Sequence, residues 1–99
     1  LAPVMRFNEP AFRSLLAKAY DRCLRGDART EEEKSAAVIQ RLEGIVKHLD
    51  IPTSLTEFGV PKEDLEALVA SGMEVTRLLV NNMRTVTPDD ARSIYQQVL

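Results

Sequence analysis

Apolar residues recur at helical spacing along most of the chain. Phe12, Leu15, Leu16, Ala19, Tyr20, Cys23 and Leu24 follow one another in steps of three and one, the pattern of one helix face. Asn8 is the expected cap of that helix, with Pro10 in its first turn and Gly26 as its left-handed stop. A second start is written in Thr30-Glu31-Glu32-Glu33, a capping box whose carboxylates meet the positive end of the helix dipole. From it Val38, Leu42, Ile45, Val46 and Leu49 are expected to point inward. The helix must stop by Asp50, because Ile51 precedes Pro52 and a residue before proline avoids the α region.

The second half is more broken. Thr53 to Val60 reads as a connector with one short turn. Pro61 opens a third helix bearing Leu65, Leu68 and Val69, and Ser71-Gly72 is expected to break it. Glu74 to Val80 reads as a short helix ended by Asn81-Asn82, since Glu74 and Arg77 fit a helix better than a strand. The last helix is expected from Pro88 to Leu99, with Ala91, Ile94, Tyr95, Val98 and Leu99 on one side. Thr87 caps it, Pro88 suits a first position where no N–H partner exists, and Asp89 and Asp90 complement the dipole. Asp90 stands where a capping box prefers Glu or Gln, so only a partial box is expected. The architecture predicted is all-α, a small antiparallel bundle of about four to six helices in one domain over residues 1–99.

Composition narrows the function classes. At 99 residues, 44% apolar and 28% charged, the chain has the make-up of a globular domain with a thin core. A net charge of −2, with Lys and Arg scattered among acids, argues against a nucleic-acid surface. No run of about 18 apolar residues suggests a membrane span. The single cysteine excludes an internal disulfide framework and fits a reducing, cytoplasmic location.

Candidate chemistry is sparse. His48 is the sole histidine and falls in a last helical turn, with Asp50 alone nearby, so it suits the dipole better than a metal. Cys23 lies on the apolar face of the first long helix, where a thiol acts as a small hydrophobe. The carboxylates at 31–33 and 89–90 are explained by helix starts. Arg84, beside two asparagines, could clamp an anion or tie its loop to backbone carbonyls, and the latter weighs more. Gly26, Gly44, Gly59 and Gly72 are isolated, so no phosphate loop or dinucleotide fingerprint exists. No catalytic, cofactor-binding or metal residue is expected within these residues.

One stretch carries a family resemblance. Asn81-Asn82-Met83-Arg84-Thr85-Val86-Thr87-Pro88-Asp89-Asp90, ending at Ile94-Tyr95, resembles the last motif of iron-containing (group III) alcohol dehydrogenases: Asn-Pro-Arg, then Val-Thr, an acidic pair and Ile-Tyr. Met83 replaces the usual proline and should loosen the turn, while Asn82, Arg84 and Thr87 keep the motif. Leu1 to Asn8, Ile51-Pro52-Thr53-Ser54-Leu55 and Phe58-Gly59-Val60 followed by Lys62-Glu63-Asp64-Leu65 resemble further family segments in the family's order, and residues 11–44 add nothing.

The resemblance implies the end of a dehydroquinate synthase-like helical domain. It implies a parent enzyme in which a divalent metal, iron or zinc, polarises an alcohol and hydride passes to NAD(P). The metal-ligand helices and the nucleotide-binding domain would lie before Leu1, so this fragment would be inactive alone and the parent a homo-oligomer. Within the family a residue near Leu78 approaches the substrate pocket, and a leucine there implies an apolar substrate. The alternative from another class is a stand-alone helical domain that self-associates or binds a partner without catalysis. Leu1 to Phe7 has little polar face, and the expectation is self-association with Val4, Met5 and Phe7 at the contact.

Overall fold

The computed structural model describes residues 1–99 and contains five α-helices, two 3₁₀ helices and no strand. The all-α class is the one the apolar spacing dictates. The chain divides into two compact units, residues 1–50 and 51–99.

The first unit is a hairpin of α1 (Ala2–Cys23) and α2 (Glu31–His48). α1 starts earlier than its sequence signals suggest. Leu1 precedes the first turn, Pro3 occupies it with its φ already set, and Asn8 is a buried residue inside the helix instead of its cap. Pro10 then lies within the helix, where it removes an N–H and crowds the preceding turn. The cost appears as a kink at Phe12, with φ −137° and ψ 27°.

Beyond the kink only part of the apolar arc touches α2. Leu16, Ala17 and Tyr20 are buried, whereas Leu15 and Cys23 are exposed, so Cys23 does not fill the core place its spacing suggested. The left-handed residue at the end of α1 is Arg25, at φ 49°, and not Gly26. Gly26 is needed for another reason. A Cβ there would collide with the Tyr20 hydroxyl, which accepts a 2.9 Å hydrogen bond from the Ala28 N–H.

α2 begins as its capping box requires. Thr30 Oγ1 accepts from the Glu33 N–H at 3.1 Å, and the Glu33 carboxylate accepts from the N–H groups of Arg29 and Thr30. Its buried residues are Ser35 and Ile39. Ile39 was not among the inward positions inferred from spacing, while Ile45 and Leu49, which were, are 45% and 60% exposed. The inner stripe runs Ser35, Ile39, Leu42 and Val46; Val38 and Ile45 stand one position, about 100°, round the helix from it, and Leu49 lies beyond the last helical residue, His48. Asp50 ends the unit in the left-handed region at φ 54°, a conformation that Asp tolerates better than most residues.

The second unit is built from shorter pieces. 3₁₀ helices span Leu55–Phe58 and Lys62–Asp64, followed by α3 (Leu65–Met73), α4 (Thr76–Leu79) and α5 (Pro88–Gln96). Gly59, at φ 83°, closes the first 3₁₀ turn in a conformation that favours glycine. Ser71-Gly72 does not break α3, which continues to Met73. The Tyr95 hydroxyl of α5 lies 3.1 Å from where a Cβ on Gly72 would stand. α5 stops at Gln96, and the Val98 carbonyl accepts a 2.6 Å bond from the Leu55 N–H. Val69 and Ala91 form the buried centre of this unit.

Candidate functional site

The residues singled out by the C-terminal motif do come together. Asn82 Nδ2 donates to the Arg84 carbonyl at 2.7 Å, and Asn81 Nδ2 donates to the Arg77 carbonyl at 3.1 Å. Amide side chains thus satisfy the backbone that α4 and its following turn leave unpaired. Three residues after Arg84, Thr87 opens α5. Thr87 Oγ1 accepts from the Asp90 N–H at 3.2 Å, and Asp90 Oδ2 accepts from the Thr87 N–H at 2.9 Å. The box expected to be partial is complete: aspartate's shorter side chain reaches because the Thr87 hydroxyl also donates to it at 2.8 Å. Those bonds from Thr87, with the nearby Arg84 charge, hold the Asp90 carboxyl below its ordinary value.

α5 is tied to α3 by Arg92. Its guanidinium donates to Glu66 through Nε at 2.6 Å and Nη2 at 2.9 Å, and it also pairs with Asp89. This bidentate geometry lowers the Glu66 carboxyl and raises the Arg92 guanidinium still further. Sequence reasoning missed the Arg92–Glu66 pair. The Asp89–Arg92 spacing of three gave a signal within the helix, but nothing in the sequence links positions 26 apart.

The Asn81 N–H donates to the Leu78 carbonyl at 3.1 Å, so Leu78 adjoins the motif. Leu78 is 60% exposed on α4, in a stretch where Val75, Val80 and Met83 are also exposed. His48 is exposed in the last turn of α2, and Cys23 is exposed at the end of α1. No group of three or more His, Cys, Asp or Glu converges where it could hold a metal ion. No helix is long and apolar enough to cross a membrane.

Known proteins give this geometry its context. Residues 1–99 match the family described as "Fe-containing alcohol dehydrogenase family, C-terminal". The chain is 33% identical over 67 residues to long-chain-alcohol dehydrogenase 1 of Geobacillus thermodenitrificans, an alignment covering 68% of this chain and 17% of that protein. It is 32% identical over 77 residues to sulfoacetaldehyde reductase of Bilophila wadsworthia, covering 74% of this chain and 20% of that one. The chain thus spans about a fifth of the length of the curated relatives it matches. No solved structure matches it significantly. With the Asn82–Arg84 turn and the Thr87–Asp90 box in place and the family match running through every residue, the chain belongs to the Fe-containing alcohol dehydrogenase family, in its C-terminal part.

Proposed function

We propose that this chain is the C-terminal portion of the helical domain of a metal- and NAD(P)-dependent oxidoreductase that interconverts alcohols and aldehydes, and that it has no activity by itself. The family match across residues 1–99 carries the reading. The names of the two relatives agree with it, one being an alcohol dehydrogenase and the other an aldehyde reductase. The metal ligands and the dinucleotide glycines would be supplied by the preceding part of the longer protein. That protein would be a cytoplasmic homo-oligomer.

The part this chain would play is structural and selective. The Asn82–Arg84 turn and the Thr87 box fix the end of α4 relative to the start of α5. That would hold Leu78 steady as a wall residue of the substrate pocket. An apolar wall suits an alkyl alcohol better than a sulfonated aldehyde, whose charge would go unpaired beside leucine.

The test is the full-length gene product, supplied with iron or zinc and either nicotinamide cofactor. Alcohol-dependent reduction of NAD(P) is expected, with longer primary alcohols preferred and Leu78→Arg raising KM for them. The 99-residue chain under the same conditions should give no turnover. Full-length protein inactive on every alcohol and aldehyde tried, with each metal, would overturn the proposal.

A further inference from the structure

The second unit contains a return connection. Glu66, in the first turn of α3, meets Arg92 in the middle of α5. The Tyr95 hydroxyl, near the end of α5, lies over Gly72, near the end of α3. Both contacts advance with the chain, so the two helices run broadly in the same sense. The chain leaving α3 must therefore travel back the length of a 9-residue helix, roughly 13 Å, before α5 can start. Residues 74–87 make that return, with α4 in the middle.

This strap is shaped from within and placed by its ends. No residue of α4 is buried, and Val75, Leu78, Val80 and Met83 all stand exposed. The Asn81 and Asn82 amides donate to the Arg77 and Arg84 carbonyls, which belong to the strap itself. One foot continues α3 directly, through the Glu74 and Val75 N–H groups on the Ser71 and Gly72 carbonyls. The other foot is the first turn of α5, closed by the Thr87 box.

Arg92 fixes this second foot. Its guanidinium reaches back one turn to Asp89 and across to both oxygens of Glu66. An exposed ion pair by itself contributes little, but a bidentate fork shared among three charges is the favourable exception. The start of α5 is thereby held beside the start of α3. That sets the span of the strap, whose first foot is the end of α3.

Resting on the reading that Leu78 walls the substrate pocket, we propose that Arg92 is a positioning residue: through Glu66 it fixes the strap that carries Leu78, and so strengthens binding of long alkyl alcohols. The link is one of population. A wall that spends part of its time elsewhere weakens binding by the fraction of time it is out of place. Only an alcohol long enough to touch the wall feels that loss. Each methylene packed on a steady wall tightens binding by up to about fourfold, and this gain shrinks when the wall moves.

The test uses the full-length gene product with Arg92→Ala, Glu66→Ala and the double variant. KM is measured along a series of primary alcohols from ethanol upward. Arg92→Ala should raise KM for the longest alcohols by about fivefold, the worth of one charged fork, and shift ethanol by less than about twofold. Glu66→Ala should match it, and the double variant should be no worse than either, because the two side chains act as a unit. Arg92→Lys, which keeps the charge but not the fork, should recover part of the loss. Val69→Ala weakens the same unit without touching the fork, and should leave the chain-length pattern unchanged. Hydrogen exchange in the same proteins is independent of turnover. The Leu79, Val80 and Asn81 N–H groups, which bond within the strap, should exchange about fivefold faster in Arg92→Ala.

A KM rise of one factor at every chain length would overturn the inference. So would the same pattern in Val69→Ala, or losses that add in the double variant. If no alcohol turns over, the catalytic reading fails and exchange decides the rest: faster strap amides keep Arg92 as its tie, and unchanged ones sink both. Turnover with no response to Arg92→Ala keeps the catalytic reading and sinks this one.

Discussion

The two units use the same helix start and reach different kinds of order. Thr30 and Thr87 each cap a helix with a reciprocal carboxylate three residues on. In the first unit the cap leads into an 18-residue helix that packs along a 22-residue partner, burying Leu16, Ala17, Tyr20, Ser35 and Ile39. In the second it leads into a helix of 9 residues, and the buried set is Val69 and Ala91. Long helices hold themselves by side-chain packing, since propensity alone is marginal for isolated helices. Short ones depend more on local bonds: the Asn82 amide on Arg84, the Thr87 box, and the Arg92 fork on Glu66. The difference predicts where each unit is weak.

The largest effect should come from the better-packed unit. Ile39→Ala empties a site only 2% exposed and should cost about 3 kcal/mol, the usual loss for a large-to-small core change. Val69→Ala, in the second unit, should cost about 2 kcal/mol by the smaller volume removed. Urea unfolding of both variants checks the order, and a larger loss at Val69 would reverse the comparison.

The two tyrosine–glycine contacts sharpen it. Gly26→Ala would drive a Cβ into the Tyr20 hydroxyl and disturb its bond to Ala28, at a cost of about 2 kcal/mol for an overpacked site. Gly72→Ala meets Tyr95 at 3.1 Å, where the ring end can yield. The helix also gains about 1 kcal/mol from replacing glycine, so this variant should melt at or slightly above the wild-type temperature.

The caps should be nearly equal despite their different settings. Thr30→Ala and Thr87→Ala should each cost about 1 kcal/mol in thermal or urea unfolding. A negligible loss at Thr87 would mean that Asp90 and Arg92 suffice to hold α5 without the threonine.

The smallest effect is with pH. The carboxyls of Glu9, bonded first to Arg13, and of Glu66, bonded first to Arg92, are held below their ordinary value of 4.5. Depressed folded-state values give stability that is complete above the unfolded value and lost as pH falls through the folded one. Unfolding midpoints should therefore be flat near neutrality and decline below about pH 4.5. Glu9→Gln should flatten that decline for the first unit, and Glu66→Gln should do so for the second. An unchanged acid slope in both would show that neither ion pair contributes.

Local chemistry was legible in the sequence. Helix class, both threonine caps, the end of α2 before Pro52 and the Asn82–Arg84–Thr87 motif all follow from residues within a few positions of one another, and the family resemblance rested on the same residues. Proline and capping rules act over one turn, so a sequence displays them directly. Contacts between elements decided what the sequence could not. Pro10 became a kink because Leu1 to Asn8 form helix ahead of it, and Cys23 is exposed at the end of α1. Packing on α1 chose Ile39 over Ile45 as the buried apolar residue of α2. The Tyr20 hydroxyl gave Gly26 its role, and Arg92 found Glu66 across 26 residues. Periodicity says that a helix has an apolar face, but the width of that face exceeds one partner, and only the partner's position selects which of its residues are buried.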